Sequence, residues 1–261
     1  KVELIEHPKP SLNNILTGKI YPQNIPSIIV GHELDVDNLD STSCILDMCA
    51  APGGTEIFLF MLGKTLHAAS RTKNKVPIIA IERSKTRFET LKTNLDIHEC
   101  TNTQCINMDT TKHSVDALLE IFSSTLGRTI SGFDRIILDP PCSGFGKRPD
   151  LRPEFPKAEY FLLQRKLLLT AWKLLLPNGI LIYSTCSVLP QENEKVIEYF
   201  LSKNCDAAIE PLNNSDYGIP AIAFGGIKDL ENCRRFLPPQ SDSVGFFIAK
   251  LRKLPTRETS N

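Results

Sequence analysis

Two cysteines stand where thiol chemistry could be done. One closes the run Ile137-Leu138-Asp139-Pro140-Pro141-Cys142-Ser143-Gly144, and the other lies in Tyr183-Ser184-Thr185-Cys186-Ser187. A thiol of ordinary pKa is mostly protonated at neutral pH and becomes a nucleophile as the thiolate, so such a residue needs surroundings that favour its charged form. Each run is apolar and ends in a polar turn, and in an open α/β sheet ligands bind at the ends of parallel strands. The pattern predicts one pair of thiols at one crevice. Taken singly, either residue could equally be a buried structural cysteine, which behaves as a small hydrophobe; the paired placement favours a site.

For the two thiols to meet, strands and helices must alternate. Residues 1–25, rich in Pro and Asn, read as an irregular arm, followed by a helix through Ile28, Ile29, Val30 and Leu34 capped near Ser27. Cys44-Ile45-Leu46-Asp47-Met48 is a first strand, Cys49-Ala50-Ala51-Pro52-Gly53-Gly54 a turn of small residues, and Ile57, Phe58, Phe60 and Met61 the start of a helix. A second strand ends in Glu82 and leads into a helix over 84–97; a third, 104–107, has Asp109 just past it. An amphipathic helix carries Val115, Leu118, Leu119, Ile121 and Phe122, and the fourth strand, 133–138, delivers Asp139 and Cys142. A helix from Gln164 through Trp172 and Leu176 precedes the fifth strand, 180–184, which delivers Cys186. Gln191 to Glu194 opens another helix, with acidic residues in its first turn where the helix dipole favours them. Residues 205–240 read mostly as loop with a basic spot at Cys233-Arg234-Arg235-Phe236, and 244–249 as a last buried strand. The alternation predicts a right-handed, mostly parallel sheet.

At one edge of that sheet the sequence collects the turn Cys49 to Gly54, Thr55, Glu82, Asp109 and Asp139. Small residues let a ligand lie close to the backbone, and the helix beyond them offers free N–H groups. The turn lacks the spaced glycines of a dinucleotide fingerprint and the Gly-Lys-Ser/Thr of a phosphate loop. Carboxylates at successive strand ends suit a nucleoside with hydroxyls, an amino group and a positive centre, and S-adenosylmethionine has all of these. Thirty basic and thirty acidic residues give no global field for a polyanion, so nucleic-acid binding would need a local patch. The loop after Cys142, with Lys147, Arg148 and Arg152, is one place for substrate contact, although a charged loop is often only solvated surface. Eight cysteines without CxxC pairs point to a reducing compartment and to no metal. No apolar run approaches a membrane span, so no membrane partner is expected.

The motifs resemble those of the Sun/Fmu (Nop/Sun) family of RNA cytosine carbon-5 methyltransferases: Ile45 to Gly54 its cofactor turn, Asp139-Pro140-Pro141-Cys142-Ser143-Gly144 its motif IV, and Ser184-Thr185-Cys186-Ser187 its motif VI. The likeness spans roughly residues 20–252 and, in 143–149, 164–167 and the closing strand, is nearest to member six of the family. It implies a Rossmann-like S-adenosylmethionine-dependent methyltransferase fold with a mostly parallel seven-stranded sheet and helices on both faces. It further implies an arm and helix over 1–40, a catalytic domain over 41–253, a flexible tail over 254–261, and an RNA-binding PUA-like domain upstream that this chain, opening at Lys1 without Met, does not contain. The expected substrate is RNA, most simply tRNA, and the expected protein is a monomer in the cytoplasm, with nucleus or nucleolus left open.

The resemblance implies roles. Carbon 5 of cytosine is a poor nucleophile until a thiolate adds to carbon 6, and Cys186 resembles that nucleophile. Cys142 resembles the residue that assists release, and Asp139 the one that holds the pyrimidine near N3 and the exocyclic amine. Cys49, Ala50, Ala51, Pro52, Gly53, Gly54, Thr55, Glu82, Asp109 and Asp139 match the cofactor site. The family's Gly-Gly-Lys is here Gly53-Gly54-Thr55, with no lysine until Lys64. That departure keeps open a non-catalytic or degenerate module binding cofactor or RNA. An adenine amino-methyltransferase would follow Asp-Pro-Pro with an aromatic, and a DNA cytosine methyltransferase would have no use for Cys186.

Overall fold

The computed structural model describes residues 20–69, 76–147, 158–222, 226–227, 229–238 and 243–255. Most of the expected arm, most of the expected tail, and the loop cations Arg148 and Arg152 lie outside them.

The elements follow in alternation: α1 (Ile25–Glu33), β1 (Ile45–Asp47), α2 (Gly54–Ala69), β2 (Ile78–Glu82), α3 (Lys85–Ile97), β3 (Thr103–Asn107), α4 (Val115–Leu126), β4 (Phe133–Leu138), α5 (Ala158–Leu174), β5 (Leu175–Thr185) and α6 (Glu194–Leu201), then β6 (Ala207–Glu210), β7 (Ile219–Pro220), β8 (Arg234–Phe236) and β9 (Phe246–Lys253). The sheet order is β3-β2-β1-β4-β5-β9-β8-β7, with β6 paired to the remaining edge of β9. β1 to β5 form a parallel block, so all five release their chains at one edge. β9 runs antiparallel to β5, β6 and β8 antiparallel to β9, and β7 antiparallel to β8. Among the described strands only β9 and β7 therefore oppose the direction of the block.

Successive side chains of a strand point to opposite faces, and the core divides accordingly. Leu46, Ile79, Ile136, Leu138, Leu181 and Tyr183 join Leu118, Phe122, Leu168, Trp172 and Phe200 from α4, α5 and α6. Ile45, Ile78, Ile137, Ile180 and Ile182 join Ile29, Val30 and Leu59 from α1 and α2. Ala80 of β2 meets Leu91 and Leu95 of α3. Both faces of the sheet are thus covered, which is why the strands read as nearly continuous apolar runs. Trp172 belongs to this core, its indole N–H donating to Asp206 at 3.0 Å.

Several expectations are corrected. The sheet has nine described strands rather than seven, because 205–240, expected as loop, contains β6, β7 and β8. These are strands of two to four residues broken by Pro, Gly and Asn; pairing with β9 holds β6 and β8, β8 holds β7, and no local period announces them. The basic spot is no surface patch: Arg235 is buried with its guanidinium on Glu194, and Cys233 and Phe236 are core. The first helix begins at Ile25, with the Asn24 side chain as cap accepting from Ser27 N–H at 3.0 Å. α5 begins six residues before Gln164 and yields at Leu175 to β5, and the last strand is 246–253. α6 starts only at Glu194, which leaves Glu192 for another task.

Glu33, at the end of α1, is fully buried and accepts from Asn213 N–H and Asn214 N–H at 2.9 Å and from Lys250 Nζ at 3.2 Å, so it fastens α1 to β9 and to the segment after β6. Removing one partner of a buried pair leaves the other charge uncompensated, which costs about 3–5 kcal/mol. Glu33→Ala should lower the unfolding free energy by about that amount in chemical denaturation; a loss of under about 1 kcal/mol would show that the pair is as weak as an exposed one.

Candidate active site

Parallel pairing of β4 with β5 sets Leu138 beside Tyr183. The chain leaving β4 carries Asp139 and Cys142, and the chain at the end of β5 carries Cys186. The two sulfur atoms lie 3.2 Å apart. The turn after Cys142 is sewn to the second motif: Gly146 N–H donates to Cys186 O at 2.9 Å, and Gly245 N–H to Gly146 O at 2.8 Å. A Cβ on Gly146 would stand 2.1 Å from Gly245 O, so this backbone crossing requires glycine.

The thiols are not equivalent. A hydrogen bond from Cys142, joined by the nearby Lys147 side chain, lowers the Cys186 thiol to about 6 against the opposing effect of burial. The same contact, with burial and the charge of Asp139, pushes Cys142 upward. The pair is accordingly a Cys186 thiolate held by a Cys142 thiol. Asp139 is exposed in the open crevice, yet enclosing protein, Cys186 and Asp47 all push its carboxyl upward while Lys147 and Arg87 oppose them. Water reaching the carboxylate in the open site favours its charged form; covering the crevice would remove that help and favour protonation.

The small-residue turn leaves β1 at Asp47, whose carboxylate accepts from Cys49 N–H at 3.0 Å. α3 fastens the turn from outside: Arg87 donates to Ala51 O, and Asn94 Nδ2 to Pro52 O at 2.8 Å. The Ala51–Pro52 peptide is cis, and Gly53 has φ +103°, a conformation that side chains rarely adopt. At Gly54 an added Cβ would stand 3.0 Å from Gln23 Nε2 and 3.2 Å from Tyr21, and Gln23 donates to Gly54 O at 2.8 Å. Beneath the turn, burial raises Asp47 to about 6 and, with the nearby charge of Asp47, raises Glu56 well above the carboxylate range. Both Glu56 oxygens lack a hydrogen bond of normal geometry, so the protonated acid is the form that burial and Asp47 leave it.

Glu82 and Asp109 stand at adjacent strand ends, where Met108 N–H donates to Glu82 O at 3.2 Å. Glu82 accepts from Ser84 N–H at 2.7 Å and lies 3.4 Å from Arg87. Asp109 accepts from Thr111 N–H and Oγ and lies 4.0 Å from Arg83; burial would raise it, but the Thr111 hydrogen bonds, Arg83 and Lys112 hold it below its usual value. Cys49 feels Asp47, Asp139 and Glu82 at once and, being enclosed as well, is pushed far upward. The structure thus brings together the turn, Glu82, Asp139 and both thiols, with Asp109 beside Glu82. Thr55 is the second residue of α2, after Gly54, and no described contact assigns it a partner.

Sequence reasoning left Lys147 as one of three loop cations and did not find Arg87, Gln164 or Glu192 as parts of the site. The Glu192 carboxylate, fully buried, accepts from Ser143 N–H at 2.9 Å and Ser143 Oγ at 2.6 Å, and Gln164 Nε2 donates to Pro141 O at 3.0 Å. The available signal was Glu192 only six residues after Cys186, too near to lie far from the same crevice.

Five parallel strands, an antiparallel β9 beside β5, and a crevice at the strand ends define the fold of S-adenosylmethionine-dependent methyltransferases. The family model described as 16S rRNA methyltransferase RsmB/F matches residues 34–252, and the chain belongs to this family. It is 32% identical over 272 residues to the mouse tRNA (cytosine(72)-C(5))-methyltransferase NSUN6, an alignment covering 94% of this chain and 55% of that protein. It is 33% identical to the tRNA (cytosine(49)-C(5))-methyltransferase of Pyrococcus abyssi, over 90% of this chain and 71% of that one. The crystal structure of NSun6 from Pyrococcus horikoshii with SFG superposes with a TM-score of 0.74 at 29% identity, over 94% of this chain and 56% of that one. The chain therefore spans about half the length of the NSUN6 relatives it matches.

Loss of the Cys142 donor should make the Cys186 thiolate harder to form. Alkylation of Cys186 by iodoacetamide, followed by peptide mass spectrometry, should rise with pH through a midpoint near 6 in the parent. In Cys142→Ala the midpoint should move upward, toward the ordinary cysteine value of about 8.5; an unmoved midpoint would assign the stabilisation to Lys147 and the backbone alone.

Proposed function

We propose that the protein is an RNA cytosine-5 methyltransferase that works through a covalent Cys186 adduct, with tRNA as its substrate. The observation that carries this reading is the 3.2 Å pairing of two sulfurs from the ends of β4 and β5, one favouring thiolate and the other thiol. The tRNA assignment rests on the names of the relatives that the chain resembles along most of its length.

S-adenosylmethionine, the cofactor, supplies an electrophilic methyl group when bound. The residues present fit it by their chemistry. Glu82 and Asp109 each retain acceptor capacity beyond their present partners, as a ribose diol and an amino group require. Arg87, half exposed, can yield its loose contact with Glu82. The turn Cys49 to Gly54, held open by α3, offers backbone groups at the start of α2.

Within the crevice Cys186 adds to carbon 6 of the cytosine as a thiolate, which makes carbon 5 an enamine carbon able to take a methyl group. Asp139, once the base covers it, is favoured in its protonated form and donates to N3, drawing electron density from carbon 6 as the sulfur attacks. After methylation the carbon 5 proton passes to Cys142, which takes it as the thiolate after losing its own proton to solvent once Cys186 is bound to carbon 6. The sulfur–carbon 6 bond breaks with its electron pair returning to Cys186, and N3 gives its proton back to Asp139. A second reading, a non-catalytic cofactor- or RNA-binding module, is favoured by Thr55 in the position of the family lysine.

If Glu82 holds the ribose, Glu82→Ala should weaken cofactor binding by about 1–3 kcal/mol in calorimetry, and unchanged affinity would remove it from the site. The cysteine roles separate in time. Cys186→Ala should abolish methyl transfer and any adduct. Cys142→Ala should attack and methylate, then stall as a protein–RNA band on a denaturing gel that nuclease removes. An adduct in Cys186→Ala and none in Cys142→Ala would exchange the two roles, and no adduct in either, with RNA bound normally, would establish the non-catalytic module.

A further inference from the structure

We propose that Glu192 is a positioning residue that sets Cys142 against Cys186, an inference that rests on the reading above for its catalytic consequence but not for its geometry. Pro140 and Pro141 have no N–H groups, so the segment that carries Cys142 away from β4 cannot tie itself to the sheet by ordinary ladder bonds. Besides the Cys142–Cys186 and Ser143–Ser187 contacts and the Gly146 N–H bond to Cys186 O, its ties run to Glu192 and Gln164. Glu192 Oε1 accepts from Ser143 N–H at 2.9 Å and from Gln164 Nε2 at 3.4 Å, and Oε2 accepts from Ser143 Oγ at 2.6 Å. Gln164 Nε2 also donates to Pro141 O at 3.0 Å. Both neighbours of Cys142 in the chain are held by this carboxylate, one directly and one through Gln164.

The same residue is anchored to the other motif. Tyr183 Oη donates to Glu192 O at 2.6 Å, and Ser143 Oγ lies 3.2 Å from Ser187 Oγ, beside Cys186 in the chain. Glu192 is fully buried, so its geometry is fixed by these partners. A charged acceptor is needed because both oxygens receive donors. A glutamine there would oppose its own NH₂ group to the Ser143 N–H or hydroxyl, and charge-assisted bonds are the stronger ones. A carboxylate that touches neither sulfur therefore shares with the Gly146–Cys186 backbone bond in setting the sulfur separation of 3.2 Å.

The test is made on the whole protein and needs neither RNA nor cofactor for its first readout. Diamide takes two electrons and two protons from a pair of thiols to leave a disulfide, and the rate at which the Cys142–Cys186 peptide appears in mass spectrometry reports how often the sulfurs meet. Glu192→Gln should slow that rate about ten- to hundredfold and shift the Cys186 alkylation midpoint upward. Glu192→Asp, which keeps the charge, should recover part of both. Ser143→Ala, which removes one donor and leaves the core intact, should act in the same direction by a smaller factor, and it decides the matter if Glu192→Gln does not fold. With RNA and cofactor, Glu192→Gln should accumulate the covalent adduct as Cys142→Ala does, kcat falling with KM for the cofactor unchanged. Parental disulfide rates in folded Glu192→Gln, or in Ser143→Ala if only that variant folds, would overturn the proposal and leave Glu192 a purely structural residue. A parent without methyl transfer whose disulfide rate still depends on Glu192 would instead sink the enzymatic reading alone.

Discussion

The hydrogen-bonded register between β4 and β5 is the constraint on which the site depends. It aligns Leu138 with Tyr183, so two loops distant in sequence leave the sheet side by side, each with a cysteine a few residues on. A slip of one residue would reverse every side chain of β5 and carry Tyr183 to the opposite face, against α1 and α2. Such a slip is opposed by burial on both faces: Ile180 and Ile182 pack toward α1 and α2, Leu181 and Tyr183 toward α4, α5 and α6. The chemistry of two thiols thus rests on apolar packing that takes no part in it.

Charge in the crevice is divided by depth. Asp47 and Glu56 lie buried beneath the turn, where low polarity raises both, and Glu82 is buried at the end of β2, while Asp109 and Asp139 are the more open carboxylates. The cations that answer them, Arg87, Arg83 and Lys147, reach in from α3, from the end of β2 and from the loop after β4. They come from flexible, exposed side chains, whereas the carboxylates are fixed at strand ends. Ligand binding can therefore displace a cation without disturbing the sheet, which is the cheaper of the two rearrangements.

The parallel block was legible because β1, β2, β4 and β5 carry apolar runs closed by a turn residue, whose burial on both faces leaves the pattern undiluted, whereas β3 is a mixed, part-exposed strand at the sheet edge. The two cysteines, Asp139, Glu82, Asp109 and the small-residue turn could be placed at one edge for the same reason. Residues 205–240 could not: β6, β7 and β8 are short, and what makes β6 and β8 strands is the edge of β9, which follows them in the chain, while β7 depends on β8. Glu192 was missed on similar grounds. Its place before an apolar period suggested a helix dipole, and only the tertiary structure brings Ser143 and Gln164 to its oxygens. Lys147 was visible as a charge, and its direction toward Cys186 was not.

The illegible part of the chain is also the part that steadies the second motif. Thr185 Oγ donates to Asn193 Oδ1 at 2.6 Å, and Asn193 Nδ2 to Ser187 O at 2.9 Å, which closes the segment after Cys186 upon itself. Outside that closure, Arg235 of β8 holds the buried Glu194 and donates to Val188 O at 3.1 Å. β8 is held in turn by β9, and β9 by β5. The antiparallel extension therefore returns to brace the loop between β5 and α6 from its far side. A buried Arg–Glu pair is weak evidence for stability, since desolvation offsets much of its attraction. Its geometric effect here is plain: Val188 and Glu194 are tied to one guanidinium, and Glu192 lies in the turn between them. Fixing that turn fixes the carboxylate that reaches Ser143, so the edge of the sheet farthest from the parallel block bears on the spacing of two sulfurs at its centre.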